Sequence, residues 1–209
     1  MALYHFSVRH VSRGKGQMVV ASVAYISGQR IFDSYYNKIH DYTSKSGVVF
    51  TEILTPEYVP ERLTDRETLW NEVEHVEKNN KAQLAYSFDI ALQNELTLEE
   101  NIKLAKEFCQ EQFVARGMIV DLAVHEGKSD NEEEPDNPHF HVLVPIRPFT
   151  EDGIWGNKQR REYILDEDGN RVKDAKGKEM FNAVSTTGWN DPELLKEWRR
   201  ACLLYTSDA

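Results

Sequence analysis

The hydrophobic positions of the chain alternate with polar ones in some segments and recur every three or four residues in others. This pattern predicts strands interleaved with helices. The predicted strands cover residues 2–10, 83–92, 118–125 and 139–146, and the predicted helices cover 17–30, 64–79, 97–117 and 191–201. The polar stretch 163–180 predicts an exposed hairpin. Because a short turn-rich link joins the last two strands, we expect them to pair antiparallel. The pattern indicates an α+β fold with helices on one face of the sheet.

Two sequence patterns predict where helices begin. Thr64-Asp-Arg-Glu67 and Thr97-Leu-Glu-Glu100 both have a hydroxyl residue followed three positions later by glutamate. This is the capping-box pattern, in which the two side chains satisfy free backbone N–H groups at the helix start. We therefore expect Thr64 and Thr97 to be N-caps.

Length and composition indicate an ordinary globular domain. The chain has 209 residues, of which 40% are hydrophobic and 29% are charged. No apolar run approaches the roughly 18 residues needed to span a bilayer, and the N-terminus lacks the features of a signal peptide. Two cysteines are too few for a disulfide framework. We expect a reduced, cytoplasmic protein without membrane insertion.

The distribution of charge changes what the net charge of −10 implies. Residues 1–40 hold five basic residues and one acidic residue, whereas residues 41–156 hold ten basic and 24 acidic residues. A basic edge on an acidic body can still bind phosphate groups. The net charge therefore does not exclude a nucleic-acid partner.

Histidines at alternate positions of a predicted strand are candidate metal ligands. Side chains two residues apart in a strand lie on one face, so His139 and His141 project together. His125 ends the preceding strand and would join them if the two strands pair. Three imidazoles leave coordination positions open, as a Lewis-acid site requires. The alternative is that these histidines are merely polar residues facing solvent.

Tyr25 is a candidate nucleophile on the predicted helix 17–30. Small or polar residues such as Ala21, Ser22 and Gly28 are its neighbours on adjacent helical turns. A tyrosine hydroxyl has a reference pKa of about 10 and is a poor nucleophile at neutral pH. It attacks phosphorus when a metal polarises the phosphate and a base takes its proton. The alternative is that Tyr25 serves only in packing.

Several segments resemble, in matching order, the MobA/MobL (MobQ-type) plasmid mobilisation relaxases of the HUH endonuclease superfamily. The strongest matches are the opening Tyr4–Gly28, including Ala21-Ser-Val-Ala-Tyr-Ile-Ser-Gly28, and the His-hydrophobe-His run in Asn137–His141. Weaker matches lie at Asp41–Thr43, Trp70–Glu74 and Gly117–His125. The resemblance spans about residues 1–200. It implies a central antiparallel sheet of about five strands flanked by helices, the palm of HUH relaxases and replication initiators.

The resemblance also implies a function. Tyr25 would cleave one DNA strand and carry it as a 5′-phosphotyrosyl intermediate, and His125, His139 and His141 would hold a divalent metal, Mg2+ or Mn2+. The substrate would be single-stranded DNA at a plasmid transfer origin, nicked and rejoined to initiate conjugative mobilisation. Other relaxosome proteins are expected partners, and a small-molecule substrate is not expected.

Three other functions remain open. A rolling-circle replication initiator uses the same chemistry, but such proteins typically place the tyrosine after the histidine pair, whereas Tyr25 precedes it. A metal-dependent hydrolase would leave Tyr25 structural. A non-catalytic DNA-binding module would need neither metal nor cleavage.

An acidic residue and several basic residues are further candidates for roles in catalysis and DNA binding. Relatives often carry an acidic residue in the strand that holds Asp89, which makes Asp89 a candidate acid, base or support for a metal ligand. It alternates with Ser87, so a shift of one residue in register would turn it to the wrong face. Basic residues expected along the DNA path are Arg9, Arg13, Lys15, Arg30, Arg147, Lys158, Arg160 and Arg161.

The end of the chain departs from the pattern. Residues 202–209 resemble translated sequencing-adapter read-through rather than native protein. We therefore expect a relaxase domain at residues 1–201 that is cut short at its C-terminus and followed by a non-native tail, with the last helix ending near Ala201.

Overall fold

The computed structural model describes residues 5–128 and 136–207. Its strands are β1 (Phe6–Ser12), β2 (Arg30–Asp33), β3 (Lys38–Asp41), β4 (Val48–Leu54), β5 (Gln83–Ala91), β6 (Val120–His125), β7 (His139–Pro145), β8 (Gln159–Tyr163) and β9 (Phe181–Ser185). Its α-helices are α1 (Val19–Ser27), α2 (Arg66–Val76), α3 (Leu98–Gln112) and α4 (Pro192–Ser207). Residues 2–4 of the first predicted strand lie outside the described residues.

The central sheet has five strands in the order β1-β5-β7-β6-β4, and all neighbouring strands are antiparallel. The predicted pairing of β6 with β7 is therefore confirmed, and so is the α+β class. The middle strand is β7, which holds His139 and His141 and is flanked by β5 and β6. The predicted hairpin is part of a separate antiparallel arm, β8–β9.

Helices cover both faces of the sheet, so the expectation of helices on one face is wrong. On one face α1 and α2 pack around Val20, Trp70 and Leu143. On the other face α3 and α4 pack around Phe88, Phe108 and other aromatic side chains. The physical reason is visible in β6, where all six residues are buried and neither face is left to solvent. Within the described ranges, no helix is both long enough and apolar enough to cross a bilayer.

Two β elements have no counterpart in the sequence prediction. The edge strand β4 is partly buried at all seven positions, so its residues show no alternation between buried and exposed. The hairpin β2–β3 has strands of four residues each, which is short for a periodicity to be recognised. Both elements depend on pairing with neighbours rather than on a local pattern.

The two predicted helix starts differ in outcome. Thr97 accepts a hydrogen bond from the Glu100 N–H and Glu100 accepts from the Thr97 N–H, so the capping box of α3 is confirmed. The N-cap of α2 is Asp65, whose carboxylate accepts from the Thr68 N–H at 2.8 Å. Thr64 instead ends a 3-10 turn and donates its hydroxyl to the Glu61 carbonyl. The prediction of Thr64 as the cap is wrong by one residue.

The last helix continues beyond the predicted end near Ala201. Cys202 is 2% exposed, and the Tyr205 ring lies edge-on to Phe108 with 5.6 Å between centroids. Trp198, Cys202 and Tyr205 are spaced by four and three residues, so they share one helical face toward the core. The non-native origin of residues 202–209 stays a prediction, and residues 208 and 209 lie outside the described part of the chain.

Candidate metal centre

Three histidines meet at one end of strands β6 and β7. The register pairs His125 directly with His139, and it pairs Ala123 with His141. The three imidazole centroids are 4.8–5.1 Å apart, and one ring nitrogen from each lies within 4.8 Å of the others. Residues separated by up to 16 positions in the sequence thus form one cluster of nitrogen donors.

Hydrogen bonds to backbone carbonyls determine which nitrogens are available. His125 donates from Nε2 to the Ile26 carbonyl at 2.7 Å, and His139 donates from Nδ1 to the Asn137 carbonyl at 2.7 Å. A carbonyl oxygen can only accept, so these nitrogens carry the protons. Nδ1 of His125 and Nε2 of His139 therefore keep their lone pairs, the arrangement that supports metal-bound histidines.

The residues present fit a divalent transition-metal ion. Metal–nitrogen bonds of about 2.0–2.1 Å would draw the three ligand nitrogens closer together than their spacing here. Imidazole binds zinc, copper, iron and nickel well. Three protein ligands also leave coordination positions for a substrate oxygen, unlike a closed structural site.

The environment keeps two of the three imidazoles, those of His125 and His141, uncharged at neutral pH. The pKa of His125 is lowered to about 4, mainly by burial and also by the charge of Lys45, while the hydrogen bond to the Ile26 carbonyl acts in the opposite direction. Burial also lowers the pKa of His141, against the opposing effect of the nearby Asp89 carboxylate. Neutral imidazoles are the form that binds metal.

These shifts predict how the stability of the metal-free protein depends on pH. The folded pKa of His125 lies below its ordinary value of 6.5, so the unfolded chain binds more protons between those values. The contribution of His125 to the free energy of unfolding is therefore fully present above pH 6.5, and it is lost as the pH falls toward 4. Urea denaturation of metal-free protein between pH 7 and 5 should show this decrease, and H125Q/H141Q should have a shallower slope. If the free energy of unfolding changed equally with pH in wild type and H125Q/H141Q, the two histidines would not have lowered pKa values.

Tyr25 lies beside this cluster, on the last turns of α1. Its side chain is 52% exposed, and its ring packs edge-on against Tyr42 with centroids 5.3 Å apart. A pocket of about 540 Å³ is lined by Tyr25, Lys45 and the three imidazoles. The carbonyl that accepts from His125 belongs to Ile26, the residue after Tyr25, so the histidine cluster directly contacts the helix that carries the phenol.

Asp89 is on the same face of the sheet as the histidines. The register of β5 with β7 pairs Asp89 directly with His141, and Ser87 with Leu143. Directly paired residues project to the same side. Asp89 lines a second pocket of about 460 Å³, which also includes Tyr25 and His141. The two pockets therefore adjoin at the tyrosine and one histidine.

Three of the basic residues expected along a DNA path are engaged inside the protein. Arg13 is only 8% exposed, and its guanidinium donates to the Glu74 carboxylate at 2.6 Å. Arg147 and Lys158 both pair with the carboxylate of Glu77, at 3.0 and 2.9 Å. Arg13 is therefore bound to a buried acid of α2 that the local sequence does not reveal, and its contact with DNA stays a prediction.

The other five basic candidates differ in where they lie. Arg9 projects from β1 and lines the second pocket with Tyr25. Lys15 is exposed in the turn after β1, and Arg30 lies 3.6 Å from the Asp41 carboxylate. On the β8–β9 arm, Arg160 pairs with Glu162 and Arg161 lies over the Phe181 ring. Of the eight candidates, all within the described ranges, Arg9 alone lines a pocket that Tyr25 also lines.

Lys45 belongs to the site, although no sequence pattern indicated it. Its ammonium lies 3.9 Å from the centroid of the Tyr25 ring and donates to the Tyr25 carbonyl at 3.0 Å. It comes from the polar turn Thr43-Ser-Lys-Ser-Gly47, where a lone lysine is ordinarily a solvated residue. Lys45 reaches α1 only because the turn that holds it leads back into β4.

Comparison with known proteins identifies relatives along nearly the whole chain. The model of the MobA/MobL family matches residues 17–208. The chain is 36% identical over 202 residues to the conjugal transfer protein TraA of Agrobacterium fabrum (strain C58 / ATCC 33970), covering 91% of this chain and 18% of that protein. It is 36% identical over 174 residues to the probable mobilization protein MobA of Bifidobacterium longum (strain NCC 2705), covering 82% of this chain and 30% of that protein.

A solved structure has the same fold. It is described as "Molecular Basis of Vancomycin Resistance Transfer in Staphylococcus aureus" and superposes with a TM-score of 0.79 at 33% identity, covering 98% of this chain and 91% of that one. The chain spans less than a fifth of the length of the TraA relative. The resemblance predicted from the sequence is confirmed: the chain belongs to the MobA/MobL family.

Proposed function

We propose that this chain nicks and rejoins single-stranded DNA, with Tyr25 as the nucleophile and a divalent ion held by His125, His139 and His141. The observation that carries the proposal is the pocket that the half-exposed Tyr25 side chain lines together with the three imidazoles. The relatives named for conjugal transfer and mobilization support a transfer origin on a plasmid as the substrate. The proposed role is initiation of mobilisation.

The proposed reaction is a transesterification. The Tyr25 oxygen attacks phosphorus in line, and the bond from phosphorus to the 3′ oxygen breaks as the bond to tyrosine forms. The phenol loses its proton, and the departing 3′ oxygen takes one up. A bound ion would act as a Lewis acid on the phosphate oxygens. Because one phosphodiester replaces another, the reverse attack by the 3′-hydroxyl rejoins the strand without ATP.

The test uses a library of single-stranded oligonucleotides with a random central region, incubated with the protein and Mn2+. A covalent adduct that survives denaturation is expected, and it should retain a label at the 3′ end of the DNA. A label at the 5′ end should leave with the released fragment, because the tyrosine holds the 5′ phosphate. Retention of the 5′ label, or no adduct from any library member, would overturn the proposal.

Asp89 has a predicted effect on this reaction. Its carboxylate faces His141 across the β5–β7 pair, where it can orient that ring or accept a proton. Replacement by Asn keeps the shape but removes the charge, so D89N should slow single-turnover nicking about 10- to 100-fold. S87A changes a neighbouring residue on the same face and should stay near the wild-type rate. Equal rates for D89N and wild type would remove Asp89 from the site.

A further inference from the structure

A lysine from a different segment of the chain contacts the candidate nucleophile twice. The Lys45 ammonium lies 3.9 Å from the centroid of the Tyr25 ring, within the range of a cation–π contact. The same group donates a hydrogen bond of 3.0 Å to the backbone carbonyl of Tyr25. One cation therefore holds both the side chain and the backbone of this residue.

The second contact on the ring comes from Tyr42, which packs edge-on at 5.3 Å. An exposed tyrosine on a helix can change between the rotamers that the helix backbone allows unless neighbouring side chains select one. Here Lys45 covers the ring face and Tyr42 packs against the ring, although the side chain is 52% exposed. Two neighbouring side chains thus favour one orientation of the exposed phenol.

Lys45 also contributes charge to the pocket. It is partly buried, and burial lowers its pKa. Within residues 5–128 and 136–207, no carboxylate forms an ion pair with it. The same ammonium acts electrostatically on His125 and His141, so its charge reaches two of the three histidines. An unpaired cation in a pocket favours an anionic occupant such as a phosphodiester.

We propose that Lys45 is a positioning residue that holds the Tyr25 phenol in its attacking orientation at the histidine cluster. This inference rests on the proposed function. Lys45 remains protonated throughout: the Tyr25–phosphorus bond forms and the bond to the 3′ oxygen breaks without a proton passing through the lysine. Its role is to keep the phenol in place and to offset the negative charge of the reacting phosphate.

The experiment compares K45M, K45Q and K45R with wild type in single-turnover nicking at saturating oligonucleotide. A misplacement of about 1 Å can cost on the order of 100-fold in rate, so K45M and K45Q should slow adduct formation about 100-fold. K45R keeps a cation over the ring and should recover most of that loss. K38M, an exposed lysine of β3, serves as the matched control and should nick at the wild-type rate.

Oligonucleotide affinity, measured by fluorescence anisotropy, separates positioning from binding. K45M should bind within a few-fold of wild type while its rate constant falls, and its thermal unfolding should match that of wild type. An unchanged rate, a loss of affinity alone, or a K45R variant that is folded but as slow as K45M would overturn the positioning role while leaving the relaxase function intact. If wild type itself forms no adduct, both proposals fall together.

Discussion

Replacing Tyr25 with Phe is expected to abolish the covalent protein–DNA adduct. The substitution removes one oxygen from a ring that is held by Lys45 and Tyr42, so the fold and the pocket should persist. Loss of a nucleophile that forms a covalent intermediate costs orders of magnitude, and we expect a decrease of at least about 10⁴-fold. Denaturing gels with a 3′-labelled oligonucleotide measure the adduct directly.

The control for this experiment is Y36F. Tyr36 is also exposed, at 40%, but it lies in the turn of the β2–β3 hairpin and lines neither pocket beside Tyr25. Y36F should keep the adduct. Two results would contradict the assignment of Tyr25. Undiminished strand cleavage by Y25F would indicate a hydrolase that uses water, and an adduct that disappears only in Y42F would identify Tyr42 as the nucleophile.

Removal of the divalent ion is expected to stop the same reaction. The phosphate needs charge neutralisation before a phenol can attack it, and an ion on three imidazoles is the strongest available source. Treatment with EDTA should eliminate the adduct, and added Mn2+ should restore it. Zinc and nickel should bind more tightly than Mg2+ or Mn2+, because imidazole nitrogen prefers them.

A ligand variant tests the same site by binding alone. H139A removes one of the three donors, and since loss of an outer-shell partner already costs about 10- to 100-fold in metal affinity, this loss should reach at least about 100-fold. Titration calorimetry with Mn2+ measures it. H75A removes an exposed histidine of α2 and should bind as wild type does. An adduct formed at the normal rate in EDTA, or by H139A, would exclude a metal-dependent reaction.

The central part of the site could be predicted because its geometry is encoded in short stretches. His139 and His141 are separated by one residue in a strand, so period two alone puts them on one face. His125 ends the neighbouring strand, and the antiparallel register brings it directly opposite His139. The face on which Asp89 lies depends on the register of β5, which the sequence left undetermined. The structure pairs Asp89 with His141.

The features that escaped prediction depend on partners far away in the chain. Arg13 looks like a surface base until Glu74, 61 positions later, is brought against it by α2. Lys45 looks like a turn residue until β4 returns the chain over α1. The even burial of β4 hides its strand character, and the burial of β6 on both sides shows why helices must cover both faces. A local sequence pattern carries no information on contacts between residues that are distant in the chain.

The hydrogen bond from His125 to the Ile26 carbonyl has a thermodynamic consequence. Helix ends fray because their terminal carbonyls lack partners within the helix, and here the imidazole supplies one. Ion loading immobilises that imidazole, so it should also suppress local unfolding at the C-terminus of α1. Amide hydrogen exchange at residues 26–29 should therefore slow when Mn2+ is added. Such linkage would make the last turn of the helix that carries Tyr25 more rigid in the metal-loaded protein than in the metal-free one.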